Sequence, residues 1–284
     1  MALTLQSTIK LPSGALMPRL GFGVYQASGT ECENAVKEAF RAGYRHVDSA
    51  QIYRNEDIVG KAVKDMSLPR SEVFLTTKYY PDGSHSKAQV TETIRTSLNK
   101  IDMVSESDKK YIDLLLTHAP FGGPKGRKTA WAAMAEAQKK GWVKDIGVSN
   151  YAVRHLEELP APKPAINQIE VHPFYQRREI VEYCEKNGII VQAYCPLVRA
   201  DPMATENPVL LNIAKKHGKE VMHVLVRWSL QKGYIPLPKS VTPKRVVSNA
   251  QVYDFELDKE DMSAIDGLDR GPAGRVTWDP TTAP

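Results

Sequence analysis

The sequence predicts an α/β protein, a (β/α)8 TIM barrel with an N-terminal β-hairpin and with extra helices and a loop after the last strand. Two observations lead to this prediction. We count eight short apolar runs along the 284 residues, each followed by a helical pattern. Runs such as IDLLL at residues 112–116 are apolar except for Asp113, which is typical of strands covered on both faces. Because such barrels commonly form one domain of roughly 250 residues, we assign residues 1–284 to a single domain.

The predicted elements alternate regularly along the chain. A Pro-Ser-Gly turn in TIKLPSGALMP predicts the N-terminal hairpin. Strands are expected at residues 20–25, 44–48, 73–78, 111–118, 143–150, 165–172, 189–196 and 234–240. Helices are expected at 31–42, 55–66, 86–100, 128–140, 152–158, 177–187, 208–217, 220–232, 243–250 and 258–266. A doubly wound Rossmann sheet is disfavoured, because GFGVYQ has Gln26 at the third glycine position of the dinucleotide fingerprint.

Composition excludes several classes of function. The net charge of +5 is spread along the chain without basic runs interleaved with aromatic residues, so no nucleic-acid partner is expected. No run approaches the ~18 apolar residues of a membrane span, so no membrane partner is expected. The cysteines Cys32, Cys184 and Cys195 lack the CxxC spacing of zinc or disulfide sites, so no metal is expected. They suit a reducing compartment, and the first residues lack a signal-peptide pattern, which indicates a cytoplasmic protein.

Polar, proton-bearing side chains lie at the carboxyl ends of the predicted strands, where a barrel carries its active site. These positions hold Tyr25, Asp48, Lys78, His118, Ser149, Asn150, Gln168, Tyr194, Lys239 and Ser240. A single strand-end Asp is more often a helix cap, and a single His or Lys is more often structural or solvated. Their joint occurrence favours a functional site.

Seven segments carry a resemblance to a known family. GYRHVDSAQIYRNE, LTTK, LLLTH, GVSN, NQIEVHP, AYCPL and IPLPKSVTPKRV occur in the order and at the separations of an aldo-keto reductase of the fungal and bacterial type. The resemblance extends from the hairpin to about residue 270. It implies a (β/α)8 barrel, monomeric in many such relatives, that reduces a small-molecule carbonyl with NADPH and uses no metal. Its catalytic tetrad falls on Asp48, Tyr53, Lys78 and His118.

The tetrad explains why an acid and a phenol stand close together in GYRHVDSAQIY. Carbonyl reduction needs a proton for the developing alkoxide, and a phenol with a pKa near 10 is a poor donor at neutral pH. We expect Lys78 to lower the pKa of Tyr53, the proton donor, and Asp48 to orient Lys78. His118 is expected to hydrogen-bond the carbonyl oxygen.

The resemblance also implies the cofactor contacts. Tyr194 is expected to stack on nicotinamide, and Ser149, Asn150 and Gln168 to bind its carboxamide. Counterparts of Lys239, Ser240 and Arg245 bind the 2′-phosphate, which predicts NADPH (bound as NADP+ after reaction) over NADH. The other expected contacts are Gly23, Val24, Tyr25, Asp48, Cys195, Leu197, Val241, Thr242 and Asn249. Ser248 stands where many relatives carry a Glu that contacts adenine, so weaker binding of the adenine ring is expected.

The substrate pocket is expected to be formed by Tyr25, Ile52, Tyr80, Ala119 and Trp278. The small Ala119 is expected to widen the pocket, and residues 121–128 to fold over it. These features favour aldehydes and activated ketones such as keto esters or diketones. Two questions stay open at this point: whether the segment around Trp278 covers the pocket, and whether the chain is instead a non-catalytic, regulatory barrel that binds NADPH.

Overall fold

The computed structural model describes residues 3–284, and eight parallel strands form its centre. An antiparallel hairpin of β1 (Thr8–Lys10) and β2 (Leu16–Pro18) comes first. The central strands are β3 (Phe22–Gly23), β4 (His46–Asp48), β5 (Phe74–Tyr79), β6 (Ile112–Thr117), β7 (Val143–Ser149), β8 (Ile166–Glu170), β9 (Ile190–Tyr194) and β10 (Ile235–Pro236). Gly21 N and Gly23 N donate hydrogen bonds of 3.1 Å to Pro236 O and Pro238 O. These bonds join the first central strand to the last, which confirms the predicted barrel.

Helices surround the barrel and follow its strands. They are α1 (Gly29–Arg41), α2 (Glu56–Asp65), α3 (Lys87–Ile101), α4 (Gly123–Lys139), α5 (Val153–Glu157), α6 (Arg178–Lys186), α7 (Pro202–Thr205), α8 (Pro208–His217), α9 (Val221–Gln231), α10 (Pro243–Ser248) and α11 (Lys259–Asp266). The local sequence explains where helix α3 starts: Ser86 and Gln89 form a capping box, which satisfies free N–H groups of the first turn. None of the helices within residues 3–284 is long and apolar enough to cross a membrane.

The hairpin closes the amino-terminal end of the barrel. Its Leu11 and Met17 pack on the barrel interior beside Phe74. Ser13 N also donates a 3.0 Å hydrogen bond to Asp145 Oδ1 on β7. Because this end is closed, the carboxyl ends of the strands form the open end of the barrel.

Three local features differ from the sequence prediction. Helix α4 begins at Gly123 instead of residue 128, because Gly122 adopts a left-handed φ of 85° and Pro124 suits the first turn. Strands β3 and β10 are shorter than residues 20–25 and 234–240, since Pro236 and Pro238 have no N–H to extend a ladder. Helix α7, which the sequence did not predict, begins where the Asp201 side chain accepts a hydrogen bond from Met203 N.

Candidate active site

A cavity of about 690 Å³ opens at the carboxyl ends of the barrel strands. Most of the residues that the sequence predicted for the site line it. They are Gly23, Tyr25, Asp48, Ile52, Tyr53, Tyr80, His118, Ser149, Asn150, Gln168, Tyr194, Cys195, Leu197, Lys239 and Trp278. The fold therefore brings together side chains from both halves of the chain.

Lys78 lies beneath the cavity with a fully buried side chain on β5. Its Nζ donates to Asp48 Oδ1 at 2.5 Å and to Ser49 O at 2.8 Å. Asp48 Oδ2 accepts a 2.8 Å hydrogen bond from Gln168 Nε2. Burial lowers the pKa of Lys78, and the adjacent Asp48 carboxylate opposes that shift. The pair is thus a buried ammonium and carboxylate with defined partners on both carboxylate oxygens.

Tyr53 lies beside this pair, in a short 3-10 turn that follows β4. Lys78 Nζ is 5.0 Å from the centre of the Tyr53 ring. Burial, followed by the charge of Asp48, raises the pKa of Tyr53 well above 10. The expected lowering of this pKa by Lys78 is therefore not found, because loss of solvation and the charge of Asp48 both disfavour the phenolate. The phenol is protonated at neutral pH.

His118 forms the next part of the wall. Its ring centre is 5.5 Å from that of Tyr53 and 5.9 Å from that of Tyr80. Burial and, to a smaller extent, the charge of Lys78 lower the pKa of His118 well below 6.5. The imidazole is therefore neutral. Its Nδ1 is buried without a hydrogen-bond partner among residues 3–284.

Tyr194, at the end of β9, is held at the cavity wall by a chain of hydrogen bonds. Its hydroxyl donates a 2.8 Å hydrogen bond to Asn150 Oδ1, and Asn150 Nδ2 donates to Ser149 Oγ and to His118 O at 3.0 Å each. Ser149 Oγ in turn donates to Gln168 O at 2.8 Å. Gln168 Nε2 binds Asp48 and also Gln192 Oε1, at 2.6 Å. Within the described chain no donor reaches Gln168 Oε1, so one acceptor on the cavity wall is free.

Cationic side chains lie toward α10 without carboxylate partners. Lys239 is half-buried, and its Nζ donates a long, 3.5 Å hydrogen bond to Gln26 O. Arg199 lines the same cavity, and Arg245 is exposed on α10. None of these three cations forms an ion pair with another residue of the segment 3–284. Unpaired cations beside a cavity are suited to an anionic ligand.

Comparison with known proteins identifies the family. The model of the aldo/keto reductase family matches residues 19–270. The chain belongs to the aldo/keto reductase family. The resemblance noted from the sequence is thereby confirmed, and this membership supports an oxidoreductase that acts on carbonyl groups.

Three named relatives illustrate the match. The chain is 39% identical to methylglyoxal reductase DkgA of Escherichia coli K12, covering 93% of this chain and 94% of the relative. It is 38% identical to glyoxal reductase of Bacillus subtilis, covering 95% of each. It is also 38% identical to an uncharacterized oxidoreductase of Schizosaccharomyces pombe, covering 98% and 97%.

Solved structures agree with the barrel fold of this aldo/keto reductase. The apo form of Gox0644 superimposes with a TM-score of 0.89 at 37% identity, over 98% of this chain and 99% of the other. MGS-M4, an aldo-keto reductase from a deep-sea metagenome library, gives 0.87 at 38% identity, over 93% and 96%.

Other residues of the sequence prediction lie outside the cavity of this aldo/keto reductase. They are Val24, Lys78, Ala119, Ser240, Val241, Thr242, Arg245 and Asn249. Ala119 is fully buried although its neighbour His118 faces the cavity. Phe121 does not line the cavity either, but its ring centre is 5.6 Å from that of Trp278, which does. Ser248 Oγ is hydrogen-bonded to His223 Nε2 at 2.8 Å.

Sequence reasoning missed several cavity residues. These are Gln26, Pro196, Arg199, Leu237 and Thr277. Gln26 and Arg199 have left-handed φ angles of 56° and 55°, which no local motif signals. Thr277 is brought to the cavity by a contact with Glu170, 107 positions away. Within residues 3–284, no group of three or more His, Cys, Asp or Glu side chains is arranged to hold a metal ion.

Proposed function

We propose that the chain reduces aldehydes and activated ketones to alcohols, with NADPH as the hydride source and Tyr53 as the proton donor. Membership of the aldo/keto reductase family supports carbonyl reduction. One observation carries the finer proposal: the buried ammonium of Lys78 is paired with Asp48 and lies 5.0 Å from the ring of Tyr53, at the wall of the cavity.

Tyr53 and Lys78 have complementary tasks in this proposal. Because burial keeps the phenol protonated, Tyr53 holds a proton ready for the carbonyl oxygen. After transfer the phenolate carries a negative charge, and the ammonium of Lys78 stabilises that charge in a site with little water. Asp48 keeps the ammonium charged and in place through the 2.5 Å bond.

His118 orients the substrate. A neutral imidazole has one N–H, and donation of this N–H to the carbonyl oxygen polarises the carbonyl without adding a positive charge. The ring contact with Tyr53 supports a position of both donors on the same side of the cavity. The two residues thus address the same oxygen atom.

Residues in the cavity and on the nearby helix α10 support nicotinamide adenine dinucleotide phosphate as the cofactor. Tyr194 offers an aromatic face held by Asn150, and Gln168 Oε1 offers an acceptor that no group of the described chain uses. Lys239 and Arg245 are cations without carboxylate partners in this part of the protein, which suits phosphate groups. When bound, NADPH supplies the hydride that adds to the carbonyl carbon.

The relatives named methylglyoxal reductase and glyoxal reductase support small dicarbonyls as one part of the substrate range. Tyr25, Ile52, Tyr80 and Trp278 give the cavity an apolar rim that also suits larger carbonyls. All three cysteines are unpaired thiols, which supports a reducing compartment such as the cytoplasm. We propose a monomer, by analogy with the fungal and bacterial members that the sequence resembles.

The experiment that tests the proposal is a panel of carbonyls followed by loss of NADPH absorbance. Wild-type protein should reduce members of the panel, and Tyr53→Phe should turn over roughly 10²–10⁴ times more slowly, the usual range of acid catalysis. NADPH binding, measured by fluorescence, should be retained. Tyr79→Phe is the matched control, since the Tyr79 hydroxyl bonds His85 away from the cavity.

Two outcomes would contradict the proposal in different ways. Binding of NADPH without reduction of any carbonyl would favour the non-catalytic alternative. Turnover by Tyr53→Phe at the level of Tyr79→Phe would show that another group donates the proton.

A further inference from the structure

Glu170, at the end of β8, is a buried carboxylate that the proposed chemistry does not use. Its side chain is 2% exposed. Oε1 accepts hydrogen bonds from Val276 N at 2.7 Å and from His172 Nε2 at 3.0 Å, and Oε2 accepts one from Thr277 Oγ1. Burial alone would raise the pKa of Glu170, but the bonds from His172, Thr277 and Val276 hold it below its ordinary value. The carboxylate is therefore ionised and bound to the tail segment, which we define as residues 275–284.

The tail segment carries Trp278 into the cavity wall. Trp278 follows Thr277 directly, is 45% exposed and lines the cavity. Thr277 Oγ1 also lies 3.4 Å from the hydroxyl of Tyr194. The hydrogen bonds that Glu170 accepts from Val276 and Thr277 therefore hold the backbone next to Trp278. Through Thr277 this anchor also contacts Tyr194, which is proposed to stack on the nicotinamide.

Trp278 ends a row of aromatic rings that begins at the proposed proton donor. Successive ring centres are 5.5 Å apart for Tyr53 and His118, 5.9 Å for His118 and Tyr80, 6.0 Å for Tyr80 and Phe121, and 5.6 Å for Phe121 and Trp278. Tyr53, His118, Tyr80 and Trp278 line the cavity, whereas Phe121 links Tyr80 to Trp278 without lining it. A bulky apolar group attached to the carbonyl would reach Tyr80 and Trp278. A small dicarbonyl near Tyr53 would not extend as far as Trp278.

We propose that Glu170 is a positioning residue that fixes Trp278 as the outer wall of the substrate cavity and so favours carbonyls with a bulky aromatic group. The proposal rests on the proposed carbonyl reduction. It predicts a selective effect: loss of the anchor weakens binding of the bulky substrate, whereas Tyr53 keeps its position and Tyr194 keeps its 2.8 Å hydrogen bond to Asn150.

Independent contacts hold the far end of the tail segment. Arg154 Nη2 donates to Thr281 O at 3.0 Å and to Ala283 O at 2.6 Å. Arg154 does not line the cavity. Arg154→Ala is therefore a matched control that removes a tail contact without releasing the backbone next to Trp278.

The kinetic test compares an aryl ketone with methylglyoxal in wild type, Glu170→Ala, Trp278→Ala and the double variant. Glu170→Ala should raise KM for the aryl ketone about tenfold with kcat within about twofold, and leave methylglyoxal nearly unchanged. Because Glu170 acts through Trp278, the double variant should be no worse than Trp278→Ala. Glu170→Gln, which retains an acceptor oxygen, should recover part of the loss, and Arg154→Ala should match wild type. Additive losses in the double variant, or equal losses for both substrates, would overturn the proposal.

A second measurement does not depend on activity. Amide hydrogen exchange at residues 275–279 should be faster in Glu170→Ala than in Arg154→Ala, and unchanged exchange would overturn the anchor. If Glu170→Ala does not fold, Thr277→Val removes the donor from the other side and should give the same change in exchange. If wild-type protein reduces no carbonyl, the proposed function fails, and the exchange result still decides whether Glu170 holds the tail segment.

Discussion

The two sides of the cavity are held by different means. On the side of the proposed chemistry, the charges of Asp48 and Lys78 are buried and bound to each other and to neighbouring groups. On the side toward α10, Lys239 and Arg245 are partly or fully exposed, and neither has a carboxylate partner among residues 3–284. The charges on the first side are thus neutralised within the protein, whereas those on the second side remain available to a ligand.

This difference separates groups that act on reacting atoms from groups that bind a ligand. A buried charge without a partner is strongly unfavourable, so the catalytic pair must be completed by the fold itself. An exposed cation is stabilised by water and can exchange water for a phosphate at little cost to the fold. Variants on the first side should therefore damage stability and turnover together, whereas variants on the second should damage only cofactor binding.

The largest effect is expected from Lys78→Met. Removal of the ammonium leaves Asp48 buried without its counter-charge, and this should lower the free energy of unfolding by roughly 3–5 kcal/mol. Turnover should be lost as well, since Tyr53 loses the charge that stabilises its phenolate. Urea unfolding and NADPH consumption measure the two effects.

Lys61→Met is the control for this loss of stability. Lys61 forms ion pairs of 2.7 Å with Asp65 on α2 and 2.8 Å with Glu33 on α1. Its removal should leave the free energy of unfolding nearly unchanged, because Lys37 still pairs with both carboxylates and water screens the surface charges. The double variant Asp48→Asn/Lys78→Met should recover part of the stability but no activity. Equal stability of Lys78→Met and Lys61→Met would contradict the buried-pair argument.

A smaller and more selective effect is expected from Lys239→Ala/Arg245→Ala. Loss of two charge-assisted contacts to phosphate should raise KM for NADPH by about 10- to 100-fold, with KM for NADH nearly unaffected. The unfolding midpoint should not change. Lys64→Ala/Lys215→Ala removes two exposed cations that form no ion pair within the described chain and do not line the cavity, and so controls for net charge. Equal losses for NADPH and NADH would refute the assignment of these residues to the 2′-phosphate.

The sequence predicted the barrel well because its evidence is local. Apolar runs mark each strand, and parallel topology places all strand ends at one rim, so Asp48 and His118 were expected to lie near each other. The predicted bounds were wrong where a single residue determines where a strand or helix begins or ends. Pro236 shortens β10, and Pro124 moves the start of α4 into a segment interpreted as a loop.

Other features of the site depend on contacts that no local pattern contains. The anchor between Glu170 and Thr277 joins residues 107 positions apart. Ala119 points away from the cavity although it follows a residue that faces it, and only the local backbone determines this. The pKa of Tyr53 is raised mainly by burial, and the degree of burial is a property of the folded molecule.

The smallest effect is expected from titration of His118. Because burial lowers its pKa well below 6.5, His118 takes up a proton only when the pH falls far below that value. The imidazole should stay neutral between about pH 6 and 9, so kcat at saturating NADPH should show no inflection near the ordinary histidine pKa of about 6.5. His118→Gln keeps an N–H donor and should lower kcat without changing the shape of the profile. An acid limb near pH 6.5 that is present in wild type and missing in His118→Gln would show that the imidazolium takes part, and the proposed role of a neutral His118 would then be wrong.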